Sequence, residues 1–195
     1  MSSKAEILER LDELAQELIF DRSQSDVDKL LNLFKDAYDD MIDEQKAFIN
    51  TPQKGAYSYT DQNRVGEFCN LLVELMETYY GVETDDYKEI FTSWQTITDP
   101  TEEQLTGYIN SILALRDEWY QQIHFVGYLP EITQIYDGIS LETANNIEKV
   151  LDFVYDSLKK HMFKNDYQYC GMLRGPDSSY VLTCGSVYWI GVNNA

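Results

Sequence analysis

The chain has 195 residues, 44% of them hydrophobic and 13% aromatic, which is enough apolar surface for one domain with a packed core. It carries 34 acidic and 15 basic side chains, a formal charge of −19 at pH 7. Such a surface repels phosphate backbones and anionic lipids, so the composition argues against direct binding to nucleic acid or to a membrane. The three cysteines form no C-x-x-C pair, and the sequence contains no signal-peptide pattern and no 18-residue apolar segment. We therefore expect a cytoplasmic protein.

The acidity is concentrated in the first 150 residues. Residues 1–50 have a net charge of −7, residues 51–150 of −12, and residues 151–195 of zero. We expect a single domain, 1–195, in which an acidic helical part, 1–164, is followed by a neutral aromatic part, 165–195.

Apolar residues at helical spacing predict the first two helices. Ser3 and Glu6 form a capping box that starts a helix ending near Asp21. Ser25 starts a second helix, which we expect to run to about Asn50. Its predicted apolar face consists of Val27, Leu30, Leu31, Phe34, Tyr38, Met41 and Ile42.

The middle of the chain predicts three further helices. The third starts at Asp61, includes Cys69 on its apolar face, and stops at Gly81. The fourth is shorter and covers about 84–97. The fifth has Asp99 as its N-cap and Pro100 at its first helical position, and should run to about residue 125.

After a possible short helix at 131–136, Ser140 caps a helix that ends near Lys164. The period then changes from helical to extended. The segments "YQYCGML" and "YVLTCGSVYWIGV" flank the turn-forming "RGPDSS" and predict a β-hairpin. In this hairpin Met172 faces Leu182 and Cys170 faces Cys184; the two cysteines could form a cross-strand disulfide if oxidised, and we favour two packed thiols in a reducing cytoplasm.

Both faces of this hairpin carry large apolar groups, so we expect helices to cover one face and more chain, or a partner, to cover the other. The segment "AYSYT" at 56–60 is a candidate third strand. The predicted fold class is α+β, mainly α: a bundle of about six helices with a C-terminal β-hairpin or small antiparallel sheet.

One acidic string has the pattern of a metal site. The run Asp39-Asp40-Met41-Ile42-Asp43 is similar to the D-D-x-x-D motif of isoprenyl diphosphate synthases. That resemblance implies a magnesium-dependent phosphoester or diphosphate enzyme that uses Asp39, Asp40 and Asp43. It covers five residues, and the "ETDDY" at 83–87 does not supply a second motif of the same spacing. We therefore favour solvated carboxylates, with no metal, cofactor or catalytic residue.

The acidic residues also follow helical spacing. Glu6, Glu9, Glu13 and Glu17 recur at steps of three or four on the first helix, and a second stripe runs from Asp28 to Asp43. Residues at these steps lie about 5–6 Å apart on a helix surface. A ladder of carboxylates at that spacing can imitate the phosphates of a nucleic-acid strand.

The composition looks like that of phage proteins that block restriction or CRISPR nucleases, and of immunity proteins that neutralise nuclease toxins. We expect a non-enzymatic inhibitor that binds the basic nucleic-acid-binding surface of a partner enzyme, in the host cytoplasm if the protein is phage-encoded. The alternatives are the magnesium enzyme above and an assembly protein that forms a homodimer through its hairpin. The candidate partner-binding residues are Asp28, Asp36, Asp39, Asp40, Asp43, Glu83, Asp85, Asp86, Glu89, Tyr167, Tyr169 and Trp189.

Overall fold

A computed structural model of the chain describes residues 3–33, 40–49, 54–95, 100–123, 130–133, 139–166, 172–174 and 180–182. The chain divides into two compact units, Met1–Val154 and Tyr155–Ala195. The described helices are α1 (Lys4–Gln16), α2 (Gln24–Leu33), α3 (Asp43–Ile49), α4 (Tyr59–Leu75), α5 (Glu102–Ile123) and α6 (Leu141–Asp166). A π-helical turn, Met76–Tyr80, continues α4. Two strands, β1 (Met172–Arg174) and β2 (Tyr180–Leu182), pair antiparallel with Met172 opposite Leu182.

The predicted α+β class is wrong, because the described structure is 71% helical and its core is formed by helices. Each strand is only three residues long, and most of the two predicted strand segments, including Cys170 and Cys184, lies outside the described residues. The predicted third strand at 56–60 is also wrong. The Ser58 N–H and hydroxyl both donate to Asp61 Oδ2, at 2.9 and 3.2 Å, so this segment leads directly into α4.

The first helix confirms the predicted capping box. The Ser3 N–H donates to Glu6 Oε2 at 2.7 Å, and the Glu6 N–H donates to Ser3 Oγ at 3.3 Å. These hydrogen bonds hold the pKa of Glu6 below its ordinary value, the Ser3 N–H having the larger effect. The helix ends at Gln16, before the predicted Asp21, and the following loop reaches α6.

The single helix predicted from Ser25 to Asn50 is instead two described helices, α2 and α3. Gln45 accounts for the second start, because its side-chain oxygen accepts the Ile42 N–H at 3.0 Å and caps α3. Ile42 is 61% exposed and Leu31 58% exposed, so neither belongs to the predicted apolar face, whereas Leu30 and Met41 are buried.

Helix α4 is the central helix of the first unit, and α1 and α5 both pack against it. The predicted stop at Gly81 is confirmed: its φ of 64° is left-handed, a conformation that glycine adopts at little cost. The predicted burial of Cys69 is confirmed as well, and burial raises the pKa of its thiol.

The starts of α5 and α6 are set by local capping. Thr101, rather than the predicted Asp99, caps α5: its N–H donates to Gln104 Oε1 at 2.8 Å, and its hydroxyl accepts the Gln104 N–H at 3.3 Å. Asp99 itself lies outside the described residues. Ser140 accepts the Thr143 N–H at 3.1 Å, which confirms the predicted start of α6. The residues described at 130–133 are not helical.

The fourth predicted helix, 84–97, is wrong over its described part, because residues 85–86 form a turn and residues 87–95 have no regular secondary structure and lie beside α4. We call residues 82–95 the strap. Within the described residues, no helix has the length and apolar character needed to cross a membrane.

Candidate functional site

The acidic stripe of α1 faces solvent. Glu6, Glu9, Glu13 and Glu17 are all exposed, as their spacing predicts. Arg10 lies among them, where it donates to Glu13 Oε2 at 2.8 Å. The same guanidinium forms a two-bond pair with Glu67 of α4, at 2.6 and 3.0 Å, so it also ties α1 to α4.

The second predicted stripe does not follow one helix. Asp28 lies on α2 and Asp43 on α3, and both are exposed, as is Asp40. Asp36 and Asp39 lie outside the described residues. Because the helix predicted to carry this stripe is divided, regular i, i+4 spacing does not connect Asp28 to Asp43. In the part of the chain that the structure describes, no three His, Cys, Asp or Glu side chains are grouped so that they could hold a metal ion.

Four of the predicted partner-binding residues lie on the strap: Glu83, Asp85, Asp86 and Glu89, all exposed. The predicted aromatic candidates Tyr167, Tyr169 and Trp189 lie outside the described residues. The structure therefore places an acidic group of predicted site residues on a turn and the irregular chain beside it, where the sequence predicted a helix for most of them.

Two asparagines of α4 hold the strap by its backbone. Asn70 accepts the Ile90 N–H and donates to the Ile90 carbonyl, both at 2.9 Å, as a neighbouring β-strand would. Asn63 does the same for Trp94, at 2.9 and 3.0 Å. The Tyr87 hydroxyl adds a third hydrogen bond to Asn70, at 2.5 Å. These bonds satisfy backbone groups that a helix would satisfy internally, which is why the strap does not need to be helical.

Gly66 lies between the two asparagines on the same side of α4 and lets the strap approach the helix. A Cβ added to Gly66 would lie 2.8 Å from Ile90 Cγ2 and 3.1 Å from Thr92 Cγ2. Asn63, Gly66 and Asn70 therefore form a mount for the non-helical strap at positions i, i+3 and i+7. Two amide side chains and a glycine at this spacing on one side of a helix are the signal by which the sequence could have revealed the mount.

The strap exposes one large apolar side chain. Phe91 is 58% exposed, and its ring packs edge-on against Trp94, with the ring centroids 5.2 Å apart. Trp94 itself is buried, and among the described residues its indole N–H has no acceptor. The exposed ring of Phe91 is thus in contact with the buried ring of Trp94.

A buried cluster of four charged side chains, Arg22, Asp61, Arg64 and Glu148, joins three parts of the first unit. The Arg22 Nη2 group donates to Asp61 Oδ1 at 3.0 Å and to Glu148 Oε1 at 2.6 Å. The Arg64 Nη2 group donates to Asp61 Oδ1 and to both oxygens of Glu148, each at 2.9 Å. The Ile19 N–H also donates to Glu148 Oε2, at 2.5 Å. Two positive and two negative charges therefore balance in a region from which water is excluded.

Burial raises the pKa of Glu148, and the charges of Arg64 and Arg22 oppose that rise. Arg22 also lies over the ring of Tyr57, with its Cζ atom 5.2 Å from the ring centroid. Tyr57 shares a 2.5 Å hydrogen bond between hydroxyl groups with Tyr108 of α5. The cluster thus fixes the loop after α1, the first turns of α4 and the second turn of α6 to one another.

Local spacing in the sequence indicates only one pair of this cluster. Asp61 and Arg64 are three residues apart on α4, which is the spacing of a side-by-side ion pair. Arg22 comes from a loop and Glu148 from α6, and no local pattern connects either residue to α4.

A cleft of about 330 Å³ opens between α1, α4 and the strap. Glu17 of the acidic stripe, the Arg10–Glu67 pair and Thr92 of the strap all contribute to its wall. The buried Arg64 reaches it from α4, so the cleft adjoins the ion cluster.

We compared the chain with known proteins. No protein-family model, no curated protein and no solved structure matches it. Function must therefore be argued from the charges and geometry of the chain itself.

Proposed function

We propose that this protein is a non-enzymatic inhibitor that binds the basic, nucleic-acid-binding surface of a partner enzyme. The observation that supports this proposal is how the charges divide between surface and interior. The carboxylates of α1 and of the strap are exposed, whereas Arg22 and Arg64 are buried in the ion cluster. The ion cluster is neutral, so the formal charge of −19 is carried by the remaining residues, and neither of these two arginines lies at the surface to screen the exposed carboxylates.

A strongly acidic surface affects how fast, and at what salt concentration, a protein binds a positively charged partner. Exposed carboxylates repel one another, which costs stability, but they raise the rate of association with a positively charged surface and make binding sensitive to salt. The partners whose surfaces are most strongly basic are those that bind phosphate backbones. The exposed ladder on α1 would occupy the phosphate positions on such a surface.

The test uses three purified enzymes: an RNA-guided DNA nuclease, a restriction endonuclease and a nuclease toxin domain. We expect the full chain to bind at least one of them, to compete with its DNA substrate, and to lose affinity as salt rises from 50 to 500 mM. The variant Glu9→Gln/Glu13→Gln should bind more weakly and with a shallower salt dependence, whereas Glu102→Gln/Glu103→Gln on α5 is the matched control. Binding that leaves DNA affinity and cleavage unchanged would contradict the proposal.

A further inference from the structure

In the strap, exposed acids precede Phe91, the most exposed aromatic side chain among the described residues, on a backbone that α4 holds by hydrogen bonds. It has four carboxylates, Glu83, Asp85, Asp86 and Glu89, against the single basic residue Lys88. Phe91 follows two residues after Glu89 and is 58% exposed. Acidic residues alone, or a single exposed phenylalanine alone, are ordinary features of protein surfaces. Their combination on a rigid mount is what requires an explanation.

The strap is held in place before any partner arrives. At its start, the Val82 N–H donates to the Met76 carbonyl at 3.2 Å, and the Thr84 hydroxyl bonds to Glu77. Further along, Asn70 and Asn63 each hold one strap residue by both its N–H and its carbonyl. A segment fixed in this way loses little conformational entropy on binding, which is the main cost that weakens contacts made by loops.

The Phe91 ring contacts the buried Trp94 edge-on, and the rest of the ring is exposed. An aromatic side chain projecting from a surface is the type of residue that dominates binding energy at protein interfaces. The hydrogen bonds from Asn63 and Asn70 involve only backbone atoms of the strap. They therefore do not require an exposed aromatic side chain at Phe91.

We propose that the strap is the docking element for the partner, with Phe91 entering an apolar pocket bordered by lysine or arginine side chains. This inference rests on the function proposed above and names the surface that performs it. Charge decides the class of occupant. A second copy of this chain would bring equally acidic surfaces together, and an anionic membrane would repel the strap carboxylates. A basic protein with an apolar pocket offers positive charges to the strap carboxylates and an apolar contact to the Phe91 ring.

The test measures the affinity of full-chain variants for whichever of the three enzymes the wild type binds. Phe91→Ala should weaken binding at least about tenfold, which corresponds to about 1.4 kcal/mol. Phe20→Ala, which removes another exposed phenylalanine outside the strap, should stay within about twofold. Glu83→Gln/Glu89→Gln should slow association and reduce the salt dependence more than Glu102→Gln/Glu103→Gln does.

Unfolding midpoints in urea establish that Phe91→Ala retains its fold. If the wild type binds and competes with DNA but Phe91→Ala and Phe20→Ala bind equally well, the docking inference is overturned while the proposed function stands. If the wild type binds none of the three enzymes, both are overturned. A dimer of the wild type that Phe91→Ala dissolves, measured by analytical ultracentrifugation, would show that the ring serves self-association and would also overturn the inference.

Discussion

Replacing Glu148 by glutamine tests the buried ion cluster most directly. In the structure this carboxylate accepts hydrogen bonds from Arg22, from Arg64 and from the Ile19 N–H. Glutamine has nearly the same shape but no charge, and it offers one acceptor oxygen where the carboxylate offers two. The two arginines would then share Asp61 alone, which leaves one uncompensated positive charge in the interior.

The expected cost follows from this charge imbalance. Removing one partner from a buried, hydrogen-bonded ion pair typically destabilises a protein by about 3–5 kcal/mol. With a urea m-value of roughly 2–3 kcal/mol/M, the unfolding midpoint should fall by about 1–2.5 M. Glu142→Gln, at an exposed position in the first turn of the same helix, should change the free energy of unfolding by less than about 1 kcal/mol.

A double-mutant cycle separates loss of charge balance from loss of packing. Glu148→Leu combined with Arg64→Met removes one charge of each sign and leaves Arg22 paired with Asp61. The double variant should therefore cost at least about 2 kcal/mol less than the sum of its two single variants. Additive costs, or a loss below about 1 kcal/mol for Glu148→Gln measured by urea denaturation, would refute the assignment of these four side chains to one balanced cluster.

Three further predictions concern the strap and its neighbours. Gly66→Ala should destabilise the protein by about 1–3 kcal/mol, despite alanine's higher helix propensity, because the new Cβ meets the Ile90 side chain at 2.8 Å; a stabilised variant would contradict this. Asn70→Ala should speed amide hydrogen exchange at Ile90, since two backbone partners are lost, whereas exchange within α5 should not change. Burial raises the pKa of Glu118, the Asp86 N–H opposes that rise and the Asp86 charge adds to it. The folded state then holds the proton more tightly than the unfolded state, so this group's contribution to stability falls as pH rises through its folded pKa. The difference in unfolding free energy between Glu118→Gln and wild type should consequently become more favourable to the variant from pH 5 to pH 8, and a difference that does not change with pH would contradict the assignment.

Local signals in the sequence predicted local structure well. The Ser3 capping box, the stop at Gly81 and the cap at Ser140 each depend on residues within a few positions of one another, and the structure confirms all three. Some wrong predictions are local as well, since Thr101 rather than Asp99 caps α5, but the wrong prediction for the strap involves a longer distance. Thr84 to Gln95 has the apolar spacing of a helix, but Asn63 and Asn70 hydrogen-bond two of its backbone N–H and carbonyl pairs, which are thereby satisfied without a helix.

The candidate sites likewise include one feature that local spacing predicts and one that depends on how helices pack. The exposure of the α1 stripe follows from 3.6-residue periodicity, so spacing alone predicted it. The ion cluster depends on Arg22 and Glu148 meeting across 126 positions of sequence, and pairing over such a distance is set by how helices pack. Periodicity carries no information about that choice of partner.

The mount on α4 also has a consequence for engineering. Asn63 and Asn70 recognise the main chain of the strap, so the side chains that point outward make no contribution to these four hydrogen bonds. Residues such as Asp86 and Phe91 can in principle be exchanged for a different recognition sequence while the backbone keeps its course. Helix α4 would then serve as a display scaffold, in which a non-helical peptide is presented in a fixed conformation without a disulfide or a supporting sheet.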